Sequence, residues 1–323
     1  MKLATQRDGS PDGRLLVVSA DNESASPVDR IATLQQALNR WAEAEPLLRA
    51  VSRKLEAGTA RDAVAFRPET IMAPLPRAWQ WLDGSAYASH GALMQKAYNH
   101  PPIESEAPLM YQGMSHSFLA WDEDVLLPSE ADGIDFEAEF GIVTDAVPMG
   151  ISAEQTLDRV KLIVQINDWS LRAIAPIEMK TGFGWIQAKP ACSMAPIALT
   201  PDELGDAWRD GRIDARMRVW RGDEQFGDVP TDEMGHGFDA LIAHAARTRD
   251  LCAGTIIGSG TVSSQSYAET GSCCIAERRA IEMIAAGAPS TPFLSFGERV
   301  RIEARFERSQ AGFGRIDQRV MER

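Results

Sequence analysis

The sequence predicts an α+β protein that is mostly β, with one large mixed-sheet domain behind a small α+β unit. Short apolar runs bounded by Gly, Asp and Pro recur from residue 76 to residue 323, which is typical of strands and turns. Residues 1–75 differ, because a strand pattern there is followed by helical spacing. A chain of 323 residues with 44% hydrophobic content is long enough to bury such a core and a small accessory domain.

Residues 1–75 are predicted to form the small N-terminal unit. Residues 15–19 have the pattern of a strand, and they follow a turn-rich segment at 9–13. Helical spacing then predicts an amphipathic helix from Ser26 onward, with a second helical stretch after Pro46. The apolar residues that carry this pattern are Ile31, Leu34, Leu38, Trp41, Val51 and Leu55. Two prolines in segment 72–79 forbid a regular helix and predict a linker.

Residues 76–323 are predicted to form the larger domain. One helix is expected over residues 238–248, and the other strong signals are those of short strands. The predicted strands cover residues 136–143, 161–166, 217–220, 255–257 and 300–306.

Charge and composition exclude several classes of partner. A net charge of −13 repels nucleic acid and anionic membranes, so neither is expected to bind. The first eight residues lack the apolar segment of a signal peptide, and no long apolar run could span a bilayer, so a cytoplasmic location is expected. The four cysteines form no CxxC pair and are expected to be reduced, buried thiols.

Acidic and apolar residues alternate between residues 134 and 142. In a strand, Asp135, Glu137 and Glu139 would share one face, with neighbouring carboxylates roughly 7 Å apart. Such like charges repel each other, and a hard divalent cation would remove the repulsion by binding their oxygens. The alternative is an ordinary acidic strand face in contact with solvent.

Two further segments supply candidate polar groups. Asp168 ends an apolar run and Arg172 follows four residues later, although a strand-terminating turn explains the same residues. Asp83 and His90 stand seven residues apart, and a structural role for this histidine is the alternative. The small residues from Gly84 to Gly91, with Pro101, Pro102 and the polar run 104–106, predict a mobile cover that carries His90.

In order and spacing these segments resemble the fumarylacetoacetate hydrolase family over roughly residues 76–306. The family's Glu-x-Glu, Asn-Asp-Trp-Ser-x-Arg, Tyr-x-Gly and Gly-Thr-x-Ser motifs are matched at residues 137–139, 167–172, 111–113 and 260–263. Its active-site lysine is matched by Lys189, which follows a Gly- and Phe-rich loop. The N-terminal unit resembles the accessory domain of a bacterial branch of this family.

The resemblance implies a β-roll catalytic domain, a homodimer and a small anionic dicarbonyl substrate whose C–C bond is hydrolysed, as in aromatic amino-acid catabolism. It implies a divalent metal, Mg²⁺ first and Mn²⁺ or Ca²⁺ as alternatives. The residues implied as metal ligands are Asp83, Glu137, Glu139 and Asp168. Those implied as catalytic are His90, Arg172 and Lys189, and those implied to bind substrate are Tyr111 and Thr261.

Two positions depart from the family pattern. Ala175 stands where hydrolase members carry a glutamine that helps to hold an oxyanion, and Ile275 stands where a glutamate pairs with the histidine. Glu277, expected on the same strand face as Ile275, is a candidate substitute. Decarboxylation, isomerisation or a lyase reaction through a metal-stabilised enolate therefore remains an alternative. A non-enzymatic metal-binding protein would not need His90.

Overall fold

β-Strands dominate the computed structural model, which describes residues 1–99, 105, 107–307 and 312–323. The strands are β1 Lys2–Gln6, β2 Arg14–Val18, β3 Ser24–Pro27, β4 Val64–Ala65, β5 Gln80–Gly84, β6 Met110–Gly113, β7 Val125–Leu127, β8 Ile134–Asp135, β9 Ala138–Thr144, β10 Val160–Asn167, β11 Ser170–Leu171, β12 Ser193–Met194, β13 Ala198–Leu199, β14 Trp208–Arg209, β15 Arg212–Ile213, β16 Arg216–Arg221, β17 Glu224–Pro230, β18 Thr255–Gly258, β19 Arg299–Arg305 and β20 Arg315–Glu322. The helices are α1 Leu34–Leu38, α2 Trp41–Glu56, α3 Ala88–Tyr98, α4 Ala175–Thr181, α5 Pro201–Leu204, α6 Phe238–Ala245, α7 Tyr267–Thr270 and α8 Ile275–Ala286.

The larger sheet runs in the order β4-β3-β2-β1-β13-β10-β9-β18-β5-β6, with β12 paired to β10. Most neighbours are antiparallel, and β5 and β18 are parallel. The N-terminal strands join this sheet through the pairing of β1 with β13. The division of the chain into domains 1–75 and 76–323 stays a prediction, and the sheet continues across it.

The second sheet runs in the order β17-β16-β19-β20-β7, and β7 is parallel to β20. Its strands alternate buried apolar and more exposed residues, so only one face packs on the core. Strands β9 and β10 of the larger sheet pack against β16 and β19. The predicted class, a mostly β protein with mixed sheets, is confirmed.

Most predicted elements of the larger domain are present within one or two residues of their expected bounds. The expected strands correspond to β9, β10, β16, β18 and β19, and the helix predicted over 238–248 ends at Ala245. The linker at 72–79 contains no helix. No helix of the described residues is long and apolar enough to cross a membrane.

The start of the helix predicted from Ser26 onward was wrong, although Leu34, Leu38 and Trp41 do lie in helices. Residues Ser24–Pro27 form β3, which pairs with β2, and the first helix begins only at Leu34. The hydroxyl of Thr33 caps this helix by accepting a hydrogen bond from the Gln36 amide at 3.2 Å. Ile31 is buried but lies outside the helix, so apolar spacing alone misplaced the helix start.

Gln165 on β10 connects the two sheets. Its side-chain amide donates to the carbonyl of Ile302 at 3.0 Å and accepts from the amide of Ala304 at 2.6 Å. All of these groups lie inside the core, where an unpaired polar group is costly. The glutamine therefore fixes the position of β19 relative to the strands that carry the acidic residues.

We expect Gln165→Leu to lower the free energy of unfolding by about 2–4 kcal/mol, because two buried backbone groups lose their partner. Urea unfolding followed by tryptophan fluorescence measures the change. Gln225→Leu, an exposed change on β17, is the control and should be close to neutral. Equal unfolding midpoints for the two variants would contradict the role of Gln165.

Candidate active site

Four carboxylates meet in the half of the larger sheet that ends at β6. Asp83 lies on β5, Glu139 on β9, Glu137 just before β9, and Asp168 just after β10. In the sheet β10 pairs with β9, and β18 lies between β9 and β5. Residues distant in sequence therefore meet at one place. One oxygen of each carboxylate lies within 4.8 Å of the others, and all four side chains are buried. The acidic cluster predicted from the sequence is therefore assembled.

Asp135 does not belong to this cluster, contrary to the alternation expected from the sequence. The strand is interrupted after Asp135, so this residue does not keep the face that it would share in one continuous strand. Its carboxylate instead accepts from the amides of Ile275 and Ala276, at 2.7 and 2.9 Å, and so caps α8. Residues on both faces of β9 are buried. The alternative interpretation, an ordinary acidic strand face in contact with solvent, is therefore wrong.

Two glycines beside the cluster have no room for a side chain. A Cβ at Gly258 would lie 2.4 Å from Oδ1 of Asp83 and 3.0 Å from Oε2 of Glu139. A Cβ at Gly260 would lie 2.2 Å from a backbone oxygen, and this residue has a positive φ of 73°. The amide of Gly260 donates to Asp83 at 3.0 Å. The sequence after β18 is thus fitted closely around the acidic cluster.

The electrostatics of the cluster favour a bound cation. Burial, followed by the neighbouring carboxylates, raises the pKa of Asp83 and of Glu139 well above the usual range. Neither oxygen of Glu139 has a hydrogen-bond donor among the described residues. Buried carboxylate oxygens without donors are the ligand type that hard divalent cations prefer. The residues present therefore fit a metal such as Mg²⁺, Mn²⁺ or Ca²⁺.

Lys189 places a positive charge beside Asp168 and Glu137. Its Nζ lies 2.6 Å from Asp168 Oδ2 and 2.8 Å from Glu137 Oε2. Burial alone would lower the pKa of Lys189, but these two carboxylates outweigh it and raise that pKa. Burial likewise opposes ionisation of Glu137, yet Lys189 and then Arg172 hold its pKa well below the usual range. This part of the cluster is neutralised by the chain itself.

Arg172 faces the carboxylates rather than open space. Its Nε donates to Asp135 at 2.8 Å, and its Nη2 donates to Glu137. Asp135 also holds α8, so the arginine connects Glu137 to the start of that helix. In this structure Arg172 positions Glu137, and its expected action on an oxyanion stays a prediction.

Aromatic residues cover the lysine side of the cluster. The hydroxyl of Tyr111 donates to Asp168 Oδ2 at 2.6 Å, and burial raises the pKa of this phenol. The Trp185 ring meets the Tyr111 ring edge-on at 4.7 Å, and Lys189 lies near both rings. The buried Cys192 thiol donates to Asp168 Oδ1 at 3.0 Å. Sequence reasoning gave no role to this cysteine, because a single cysteine carries no spacing signal.

His90 lies in α3, which packs against α8. Its Nδ1 is 3.5 Å from Oε1 of Glu277, a buried carboxylate in the first turn of α8. The expectation that residues 275–277 form a strand was wrong, because Cys274 and Asp135 cap a helix there. The suggested substitution of Glu277 for the missing glutamate is supported by this geometry.

The expected cover is helical in its described part. Residues Ala88–Tyr98 form α3, and Thr261 lies buried in the loop that follows β18. Residues 100–104 and 106, which include the two prolines and most of the polar run, lie outside the described residues. The site therefore consists of an acidic cluster, a lysine with aromatic cover, and a histidine paired with a glutamate.

Fold and site together define a protein with a buried, cation-fitting acidic pocket in a mixed sheet. Residues 80–321 match the family described as fumarylacetoacetate (FAA) hydrolase C-terminal. Residues 1–77 match fumarylacetoacetase N-terminal domain 2. The chain belongs to the fumarylacetoacetate hydrolase family, as its motifs predict.

Two curated relatives share about a quarter of their aligned residues with this chain. The 2,4-didehydro-3-deoxy-L-rhamnonate hydrolase of Sphingomonas sp. (strain SKA58) is 28% identical over 163 residues, covering 50% of this chain and 54% of that protein. A mitochondrial oxaloacetate tautomerase of Xenopus laevis is 26% identical over 168 residues, covering 50% and 49%. The aligned part thus spans about half the length of each relative.

Solved structures of similar fold span the whole chain. The maleylpyruvate hydrolase of Sphingobium sp. SYK-6, in complex with manganese(II) and pyruvate, has a TM-score of 0.67 and 17% identity, covering 100% of this chain and 99% of that one. The 5-carboxymethyl-2-hydroxymuconate delta-isomerase of Mycobacterium smegmatis has a TM-score of 0.62 and 16% identity, covering 100% of both chains. At such low identity these likenesses show the fold.

We expect Gly258→Ala to weaken Mn²⁺ binding by about 10–100-fold, because the added methyl group displaces Asp83 and Glu139. Isothermal titration of the metal-free protein with Mn²⁺ measures the affinity. Gly91→Ala in α3, where a Cβ meets nothing within 4 Å, is the matched control. An unchanged Mn²⁺ affinity in Gly258→Ala would show that this close packing does not shape the pocket.

Proposed function

We propose that the protein is a metal-dependent hydrolase that cleaves a C–C bond in a small β-diketo acid, such as fumarylacetoacetate or an acylpyruvate. One observation carries the proposal: four buried carboxylates lie within 4.8 Å of one another, with a lysine on one side. Paired with a buried glutamate, the histidine of α3 supplies a candidate base. A pocket that only stores metal needs no such base.

Asp83, Glu137, Glu139 and Asp168 would hold the cation, with Mg²⁺ as the first choice. When bound, a divalent cation would supply Lewis acidity to the two oxygens of a dicarbonyl acid. Glu139 is the ligand on which this depends most, since its oxygens have no hydrogen-bond donor in the described structure. Tyr111 and Lys189 fix the orientation of Asp168 by donating to the same oxygen.

His90 would act as the general base. With Nδ1 directed at Glu277, Nε2 is the nitrogen that would take a proton from water. The resulting hydroxide adds to one carbonyl carbon, the bond to the adjacent carbon breaks, and that carbon then takes up a proton. Glu277 stabilises the imidazolium while the proton resides on His90.

Tyr111 and Thr261 would bind the substrate, and Lys189 would stabilise the oxyanion that develops on it. Lys189 carries a positive charge inside a chain of net charge −13, so it offers local attraction that the overall charge does not. Trp185 and Tyr111 form an aromatic wall beside it that excludes water. The substrate is thus proposed to be small, anionic and rich in oxygen.

Isomerisation, tautomerisation or decarboxylation of a 2-oxo acid is the second candidate. Ala175 at the start of α4 favours it, because the alanine lacks the amide that helps hydrolase members to hold an oxyanion. The names of the similar proteins include a tautomerase and an isomerase beside two hydrolases. These reactions also proceed through an enolate but need no attacking water. Tautomerisation and isomerisation form it when a base removes a proton from carbon, whereas decarboxylation forms it by loss of CO₂.

The experiment that tests the proposal is a product analysis of the purified protein with Mg²⁺ or Mn²⁺. Acylpyruvates and fumarylacetoacetate test hydrolysis, and oxaloacetate tests tautomerisation and decarboxylation. Two acid fragments from a diketo acid support the hydrolase. Enol–keto exchange or CO₂ release without cleavage would replace it with the second candidate. A cytoplasmic location and a role in aromatic amino-acid catabolism stay predictions from the sequence.

We expect His90→Ala to lower kcat by about 10²–10⁴-fold with nearly unchanged metal affinity, because only the base is lost. Glu139→Ala should abolish metal binding and activity together. Steady-state kinetics at saturating Mg²⁺ and metal titration separate the two effects. A wild-type kcat in His90→Ala would remove the base from the mechanism and leave a reaction that depends on the metal and Lys189.

A homodimer is also proposed, through α4 and the loop after it. Ile177, Met179, Phe183 and Ile186 are exposed there, and Phe183 is 96% exposed. The loop is held in place, since the Glu178 carboxylate accepts from three backbone amides at residues 186–188. Glu178 and Lys180 are the charged residues of segment 173–188, so two acidic copies can meet there without repulsion.

We expect Phe183→Glu to convert a dimer into a monomer, because the substitution places two like charges across an apolar contact. Sedimentation equilibrium over a range of concentrations measures the mass. Leu126→Glu on β7, another exposed apolar position, is the control and should keep the wild-type mass. A wild-type protein that is monomeric at all concentrations, or a dimeric Phe183→Glu variant, would contradict this interface.

A further inference from the structure

Three hydroxyl and carboxyl groups form a chain of contacts behind His90. The Ser89 hydroxyl donates to the Ser263 hydroxyl at 2.9 Å, and the Ser263 hydroxyl donates to Glu277 Oε1 at 2.5 Å. The same Oε1 atom is the one that faces His90 Nδ1 at 3.5 Å. The same carboxylate oxygen therefore accepts a hydrogen bond from the serine and faces the histidine, whose Nδ1 makes no hydrogen bond in the described structure.

Ser263 stands where three elements meet. It belongs to the segment after β18 that also contains Gly260, whose amide binds Asp83. Its hydroxyl contacts α8 through Glu277 and α3 through Ser89. Both Ser263 and Glu277 are 1% exposed, so water cannot replace a lost hydrogen bond easily.

A hydroxyl that donates to a carboxylate makes a strong, charge-assisted hydrogen bond. This bond fixes the rotation of the Glu277 carboxylate, which otherwise could turn Oε1 away from the histidine. The contact from Ser89 adds a second connection, one residue before His90 in the same helix. Together they determine where the histidine stands relative to the glutamate.

We infer that Ser263 is a positioning residue: its hydroxyl holds Glu277 toward His90 and fastens α3 to α8. The inference rests on the proposed function, because it assumes that His90 is the base. Ser263 acts through Glu277. Glu277 lies in the first turn of α8, and Ser263 is the group that aims it.

The neighbouring residue offers a matched control. Ser264 is equally buried, and its hydroxyl also donates to a carboxylate at 2.5 Å, but that carboxylate is Glu233, outside the His90 contacts. Ser263→Ala and Ser264→Ala therefore remove the same atoms from adjacent positions. Only the first change breaks the contact with Glu277.

We expect Ser263→Ala to lower kcat by about 10–100-fold with little change in KM or Mn²⁺ affinity, the size seen when supporting hydrogen bonds are removed. Ser263→Thr keeps the hydroxyl and should recover most of kcat. Ser89→Ala should lower kcat less, since Glu277 keeps its donor. Ser264→Ala should behave like wild type. A wild-type kcat in Ser263→Ala, or an equal loss in Ser264→Ala, would overturn the inference.

Hydrogen exchange provides a readout that needs no substrate. In Ser263→Ala, amides of α3 should exchange faster than in wild type, whereas Ser264→Ala should leave them unchanged. If the wild-type protein converts none of the tested diketo and oxo acids, the proposed function fails. Hydrogen exchange then decides by itself whether Ser263 is a positioning residue. Unchanged exchange in α3 would then overturn that role. If Ser263→Ala does not fold, Ser89→Ala, which changes a half-buried side chain and removes the bond from α3 to Ser263, replaces it in the exchange measurement, and unchanged exchange in α3 would overturn the inference.

Discussion

Repulsion among four buried carboxylates is the constraint on which the rest of this structure depends. Charges of one sign within 4.8 Å are strongly unfavourable where the surroundings are poorly polarisable. The chain offsets part of this cost with Lys189, Arg172 and the amide of Gly260. Glu139 keeps no such partner in the described residues, so the remaining charge is left for a cation. The pocket is thus less stable than an apolar core and suited to binding.

The sheet provides the rigidity that this arrangement needs. Strands β5, β18, β9 and β10 are adjacent, and the acidic residues lie on these strands or next to their ends, so strand pairing sets their spacing. Gly258 sits between Asp83 and Glu139, where any side chain would collide with both. A bulkier residue would enlarge the pocket, and a cation needs oxygens at closely defined distances. A glycine at position 258 therefore keeps the carboxylates where they can bind a cation.

Helix α8 links the acidic cluster to the proposed base. Asp135 binds its first amides and also accepts from Arg172, which holds Glu137. Two residues further on, the same helix presents Glu277 to His90. A helix N-terminus also favours a negative charge in its first turn. The cost of burying this second acidic group is thereby reduced, and the histidine gains a fixed partner.

The sequence by itself determined the fold class, the family and the acidic cluster. Strand periodicity and motif spacing are local properties, so Glu137, Glu139 and Asp168 could be found from the order of residues alone. The metal itself and the reaction stay proposals, because neither is a property of residue spacing. Wrong expectations arose where a local pattern had two solutions: the helix start expected from Ser26, the strand expected at residue 275, and the strand face that Asp135 was expected to share with Glu137 and Glu139. Pairing with β2 and capping by Asp135 decided these cases. Only the tertiary structure brought Glu277 to His90 and Ser263 to Ser89, because contacts between residues more than a hundred positions apart leave no signal in one sequence.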